Sequence, residues 1–267
     1  SWNGLAIAAF ADAGRVLADE RWLAAAVRAA DLLLARARDG GGRLRRSLKD
    51  GQARQRGVLD DYSHLAEGLL ALYRGTFDER WFVAAVELTE QILTHFADPA
   101  GGFFDTADDH EQLIARPKGL QDNAVPSGNS TAMAVLLQLA ALTGEGRYRS
   151  AAEGALRLVT PVVHRYPSAF AQWLVAIQLA LGPLHEVAIV GRPDDPASRA
   201  LLEVVQRPFR PGLVVAFAER GEESRLPLLH DRPARDGRPT AYVCRAFACR
   251  QPVTEPGELA AQLASAA

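Results

Sequence analysis

The chain has 267 residues, 48% hydrophobic and 23% charged, with a formal net charge of −2. That length can bury a substantial core, as one large domain or two smaller ones, and the near-neutral balance argues against nucleic acid or an anionic membrane surface as a partner. No apolar run reaches the roughly 18 residues that a spanning helix needs; the longest candidate, around residues 170–181, is interrupted by Gln172 and Gln178.

The chain opens at Ser1, without methionine, on a helix-like segment. That start reads as the interior of a longer protein. Internal repetition then organises the first two thirds. Residues 13–29 (AGRVLADERWLAAAVRA), 73–88 (YRGTFDERWFVAAVEL) and 142–157 (LTGEGRYRSAAEGALR) each end one apolar helix, turn through a short polar linker and begin another. The new helix starts with arginine and an aromatic: Arg21-Trp22, Arg80-Trp81, Arg147-Tyr148. A spacing of about 60 residues suits a helical hairpin plus a loop.

The two helices of each hairpin differ. Residues 5–17, 65–72, 131–142 and 166–181 are apolar almost all round, as inner helices covered on most sides would be. Residues 22–38, 81–96 and 148–163 carry charges at helical spacing, as outer helices would. The expected fold class is mainly α: a partial (α/α)6 toroid of helical hairpins over residues 1–182, with a small C-terminal α/β appendage over residues 183–267. Four inner and three outer helices leave an apolar edge, to be covered by further hairpins upstream or by a second copy of the chain in a homo-oligomer.

In such an array the segments joining an outer helix to the next inner helix lie at one mouth with the inner-helix N-termini. Those segments are long and polar, and both read as β-hairpins: residues 38–55, turning at Asp50-Gly51, and residues 98–118. The opposite linkers, residues 18–20 and 76–78, are short. A polar mouth on a rigid scaffold is where a site is expected. The appendage reads as βαββα, with strands near residues 186–190, 213–217 and 240–244. A helix over residues 195–205 takes Asp195 as N-cap and Pro196 in its first turn, and a terminal helix covers residues 258–266.

The inner-helix starts carry the residues that bear chemistry. Asp61, Asp60 and His64 are the candidate catalytic acids and bases, because glycoside chemistry needs a paired acid and base. Trp2, Asn3, Tyr62, Asp105, Ser127 and Asn129 are the candidate substrate-binding set: amides, carboxylates and hydroxyls for sugar hydroxyls, aromatic rings for sugar faces. Each has a structural alternative. Asp60 and Ser127 are good N-caps, Asp61 one residue on is not placed to share that task, Asn129 can hold a loop, and Tyr62 and His64 can be core residues. Asp105, Asp108, Asp109 and His110 lack the spacing of a calcium loop and read as a solvated hairpin tip. No metal or cofactor is expected. Arg116 and Lys118 are either surface charge or neutralisers of an anionic substrate.

Cys244 and Cys249 are the chain's two cysteines. They form neither a disulfide framework nor a Cys-x-x-Cys motif nor a zinc site, which favours a reducing, cytoplasmic setting. They read as two buried or weakly redox-active thiols, with a local disulfide as the alternative.

Taken in order, SWNGLAIAAFADAGRVL, LDDYSHLAEGLLALY, GGFFDTADDHEQLIARPK, NAVPSGNSTAM and RPTAYVCRAFACRQPVT give the chain a resemblance. It resembles the C-terminal region of the thioredoxin-domain-containing family that includes spermatogenesis-associated protein 20. The resemblance implies a six-hairpin toroid like those of N-acylglucosamine 2-epimerases and six-hairpin glycosidases, preceded by a thioredoxin-like domain and first hairpins outside this chain. It points to Asp60, Asp61, Tyr62, Ser127, Asn129, Cys244 and Cys249. The expected function is a carbohydrate-active domain of hydrolase or epimerase type. The alternative is a non-catalytic interaction or scaffold module coupled to the thioredoxin-like domain. Epimerisation on paired cavity histidines is in doubt here, since His64 alone stands at the mouth.

Overall fold

The computed structural model describes residues 1–111, 114–208 and 210–264. The protein is mainly α-helical. In chain order come α1 (Trp2–Leu17), α2 (Glu20–Arg36), β1 (Arg45–Lys49), β2 (Gln52–Arg56), α3 (Leu59–Thr76), α4 (Glu79–His95), α5 (Gly128–Thr143) and α6 (Gly146–Val163). A 3-10 turn over Pro167–Phe170 leads into α7 (Ala171–Leu181), and then follow β3 (His185–Val190), α8 (Pro196–Gln206), β4 (Leu213–Ala218), β5 (Thr240–Arg245), β6 (Ala248–Cys249) and α9 (Pro256–Ala264).

The repeated sequence makes a repeated turn. The first helix of each pair ends on a residue in the left-handed region: Ala18 (φ 53°), Phe77 (φ 54°) and Gly144 (φ 75°). In the first two turns an aspartate then caps the next helix. Asp19 accepts the Arg21 N–H at 3.0 Å and Asp78 the Arg80 N–H at 3.1 Å. The arginine–aromatic pair has a linking task. Arg80 reaches back to Asp31 on α2 at 2.6 Å while Trp81 is buried beside it. Arg147 and the Tyr148 hydroxyl both reach Glu90 on α4, each at 2.7 Å. Each outer helix is thereby tied to the one before it. Arg21, at the equivalent place on α2, bonds to its own cap Asp19 and is 89% exposed. On α1 and α2 Val16, Leu17 and Leu32 are exposed, and Phe10 stacks on a half-covered Trp22 at 5.2 Å.

Helices α1 and α3 touch backbone to backbone. A Cβ on Gly4 would sit 2.5 Å from the His64 carbonyl carbon, and one on Gly68 would sit 2.7 Å from the Gly4 oxygen. Only glycine permits that approach, and it sets the starts of α1 and α3 side by side. α3 is buried along nearly all of its length, as an inner helix should be.

The chain divides into two compact units. The first comprises Ser1–Leu137 and Arg147–Ile177, with Tyr73, Trp81, Leu88, Phe96, Phe103 and Trp173 among its core residues. The second comprises Gln138–Gly146 and the chain from Gln178 on. Its four-stranded sheet has the order β4-β3-β5-β6: β3 runs parallel to β4 across the α8 crossover and antiparallel to β5, and β5 and β6 form a hairpin. Asp195 caps α8 by accepting the Ala197 N–H at 2.8 Å, with Pro196 opening the helix.

One expected hairpin forms and the other does not. β1 and β2 pair through Asp50 (φ 52°) and Gly51 (φ 73°), the left-handed pair that a two-residue hairpin turn demands. Among the described residues of 98–118 there is no strand, only an isolated bridge between Ala97 and Phe103. Side chains hold this segment instead. Lys118 donates to the Gly101 carbonyl at 2.7 Å and Arg116 to the Thr106 carbonyl at 2.6 Å, and both cations lie over the Phe104 ring. Arg116 and Lys118 thus bind their own loop. Among the described residues no helix is long and apolar enough to cross a membrane.

Candidate functional site

The starts of α1, α3 and α5 gather the mouth residues. From sequence, the α3 cap falls on Asp60 and Asp61 is free; the structure reverses this. The backbone is extended through Val58, so Val58 is the cap and Asp61 is the third helical residue. The Asp61 carboxylate turns back and accepts the Val58 N–H at 2.9 Å, the return bond of a capping box. Its other oxygen lies 2.9 Å from the Ser1 nitrogen, and Arg46 on β1 approaches at 3.5 Å. Asp61 is therefore buried and occupied on both oxygens.

Asp60 faces α5, where it accepts the backbone N–H of Gly128. A Cβ at Gly128 would come 2.5 Å from its Oδ1, so the glycine makes room for the carboxylate. Burial, and then the neighbouring charge of Asp61, raise the Asp60 pKa above the ordinary aspartate value. Asp105 accepts the Gly119 N–H at 2.7 Å, and its backbone carbonyl accepts the N–H of Leu59. Burial raises its pKa too, and the charge of Asp60 adds to the effect. The charge of Asp60 thus acts on Asp105, and among the described residues no basic side chain forms a salt bridge with either, although Arg46 acts on Asp60 by its charge.

His64 lies one turn beyond Asp60 and is fully buried. Neither ring nitrogen makes a hydrogen bond of ordinary geometry, although the Pro126 carbonyl is near enough to favour the proton slightly. Burial pushes its pKa down to about 4, so the ring is neutral near pH 7. Tyr62 is 1% exposed and packs against Phe96 at 5.1 Å. Its hydroxyl accepts from the Leu44 N–H at 2.8 Å and from Arg43 at 3.2 Å, so the ring presents no open face and anchors β1. Trp2, by contrast, is 76% exposed, and Asn3 is exposed beside it.

At the start of α5, the Ser127 hydroxyl accepts the Ser130 N–H at 3.1 Å, a capping bond. The Asn129 amide clamps the preceding loop, accepting the Phe103 N–H at 2.8 Å and donating to the carbonyls of Phe103 (2.9 Å) and Gly119 (3.2 Å). Sequence reasoning missed Asp122. One of its oxygens accepts the Ser127 N–H and the Ser130 hydroxyl, each at 2.9 Å, and the other accepts the Gln172 N–H at the start of α7, at 2.8 Å. An aspartate five residues ahead of a serine cap was the available signal.

The loop acids assemble differently from the cluster that sequence proximity suggests. His95 bonds Asp108 at 2.8 Å, and with Asp109 these groups could face one cation. Asp109 is already paired with Arg43 at 2.8 Å and Arg56 at 3.1 Å. Two arginines there oppose a metal ion.

Cys244 and Cys249 are not free thiols: they form a disulfide across β5 and β6, where they are direct register partners. The bond closes so short a loop that it restrains the unfolded chain by about 2 kcal/mol.

Compared with known proteins, the chain matches no family model. It is 31% identical over 274 residues to spermatogenesis-associated protein 20 of Rattus norvegicus, and 30% identical to the proteins of that name from Mus musculus and Homo sapiens. Each alignment covers 97% of this chain and 35% of the relative, so the chain spans about a third of the length of the curated relatives it matches.

Proposed function

From homology that supports membership in the spermatogenesis-associated protein 20 family along nearly the whole chain, we infer that the helical unit is an arc of a larger ring of hairpins, an (α/α) toroid. In the full-length protein we place it in the cytoplasm, behind a thioredoxin-like domain. Support for the ring comes from the outer-helix ties of Arg80 and Arg147, which repeat one linkage from α2 to α4 and from α4 to α6.

We propose that the mouth of this arc binds a saccharide and acts on it by acid–base chemistry of hydrolase or epimerase type. The observation that carries the proposal is the Asp60–Asp105 pair, two half-buried carboxyls that hold their protons more tightly than ordinary aspartates. Protonation of a leaving oxygen with activation of a nucleophile requires an acid and a base, the two roles that neighbouring carboxyls can divide between them. Asp61, Ser127 and Asn129 are committed to caps and loop bonds, and in this proposal they position the pair. Trp2 offers the open aromatic face for a sugar ring, the part that a buried Tyr62 does not fill.

The test is a thermal-shift panel of mono- and oligosaccharides on the full-length protein and on Asp60→Asn. A sugar-dependent rise in Tm that Asp60→Asn loses, with the starting Tm kept, supports the proposal; no response across the panel refutes it. The commitment of Asp61, Ser127 and Asn129 to structural bonds favours a second reading, a non-catalytic interaction module, and that reading predicts the flat panel.

A further inference from the structure

We propose that the Cys244–Cys249 bond is a thiol–disulfide exchange site, with Cys249 as the sulfur that meets an external thiolate and Arg232 as the residue that stabilises its thiolate. The site lies wholly within the second unit and is independent of the mouth.

Four observations place it. First, the two sulfurs differ in access: Cys244 is 2% exposed in the middle of the sheet, whereas Cys249 is exposed on β6. Second, the Arg232 guanidinium donates from both Nε and a terminal nitrogen to Cys249 Sγ, each at 3.3 Å. Arg232 is itself only 8% exposed, held by the His230 carbonyl at 2.8 Å. Glu186 and Asp231 act on Arg232 only by their charge, whereas a thiolate on Cys249 would meet both donors directly, so the geometry suits a sulfur that carries charge during exchange. Third, Cys249 opens onto a cavity of about 490 Å³, whose lining includes Pro227, Tyr242, Phe247, Pro252 and Arg232. That space admits a cysteine-bearing chain or a small thiol.

Fourth, the hairpin does not depend on the bond. Its turn residues Ala246 (φ 48°) and Phe247 (φ 63°) are non-glycine residues in the left-handed region, a costly conformation that other contacts maintain. The buried Glu186 accepts the Phe247 N–H at 2.7 Å, the Arg250 N–H donates to the Val243 carbonyl at 2.9 Å, and Ala241 bridges to Val253. Opening the disulfide therefore leaves both thiols in register, which marks an exchangeable bond rather than a structural staple.

The exchange balances with a dithiol as co-reactant. One thiolate of the dithiol attacks Cys249 Sγ; a new S–S bond forms, the Cys244–Cys249 bond breaks, and its electron pair leaves on Cys244 Sγ, which takes a proton from solvent. The second thiolate of the dithiol then attacks its own bound sulfur, closing the donor's disulfide and expelling Cys249 as a thiolate beside Arg232. Two electrons pass, the dithiol is oxidised and the cysteine pair is reduced.

The test uses the full-length protein. Dithiothreitol without denaturant should reduce the bond with the circular dichroism spectrum unchanged. After reduction, iodoacetamide at pH 7 should alkylate Cys249 at least tenfold faster than Cys244. Arg232→Gln should slow the alkylation of Cys249 itself severalfold at pH 7, and Arg232→Lys should restore part of that rate. Cys244→Ser should trap glutathione as a mixed disulfide on Cys249 when treated with oxidised glutathione, a result that decides the matter even if Arg232→Gln fails to fold. If the bond yields only in denaturant, if its reduction unfolds the protein, or if no mixed disulfide forms on Cys249, the bond is structural and the proposal is overturned. A site that exchanges with dithiothreitol and oxidised glutathione but forms no adduct with a cysteine peptide serves small thiols; adducts with both extend it to protein thiols.

Discussion

Replacing Glu67 by glutamine should make the protein more stable at pH 8 and change little at pH 4. Glu67 lies on α3, and desolvation raises its pKa from 4.5 to about 7; the charge of Asp12 adds to the shift and Arg74 opposes it. The folded state therefore holds this proton more tightly than the unfolded chain does. Its contribution is fully present below pH 4.5 and is lost as pH rises through 7. Each pH unit between the two affinities corresponds to about 1.4 kcal/mol, so ionisation removes roughly 2–3 kcal/mol after relaxation of the site. Glutamine keeps the shape without the charge. Urea unfolding at pH values from 4 to 8 should show the Glu67→Gln-minus-wild-type difference growing toward stabilisation by about that amount. A difference that stays flat with pH would refute the reasoning.

His64 should behave in the opposite sense. Its folded pKa of about 4 lies below the usual 6.5, so its contribution is complete above pH 6.5 and is lost as pH falls toward 4; His64→Leu, in the same urea series, should flatten that acid limb by about 2–3 kcal/mol. Asn129→Ala leaves the buried Phe103 N–H and carbonyl unpaired and should cost about 3 kcal/mol by the same measurement. Tyr62→Phe removes the acceptor of the buried Leu44 N–H and should cost about 1–2 kcal/mol, with faster amide exchange at Leu44. Gly4→Ala drives a methyl into the backbone of α3 and should lower stability by at least about 2 kcal/mol, where alanine at the open Gly146 should not.

Much of the helical unit was legible because its signals are local. The helical periodicity, the arginine–aromatic starts and the short linkers placed the helical hairpins, and Asp50-Gly51 placed β1 and β2. The appendage strands were read from short β-branched runs, but β6 is two residues long and was below that signal. The segment over residues 98–118 misled because GGFF and a polar tip look like a hairpin, whereas Asn129, Arg116 and Lys118 fix its path from a distance.

The candidate residues were legible in position along the helices more than in role. That Asp60, Asp61, Asn129 and Ser127 stand at the helix starts follows from the repeat. Which carboxylate closes the capping box depends on a one-residue shift in where the helix begins, and sequence does not resolve that. Asp105 and Asp122 act through groups far along the chain, so only the fold brings their partners to them.

The most direct measurement is a carboxyl titration by NMR of the full-length protein, wild type and Asp60→Asn. Asp105 should titrate above the ordinary aspartate value of 3.8 and move down when Asp60 loses its charge, and a bound saccharide should perturb both carboxyl signals in the wild type. If Asp105 titrates as an ordinary aspartate and ignores Asp60, the two are not an acid–base pair and the proposed site is contradicted.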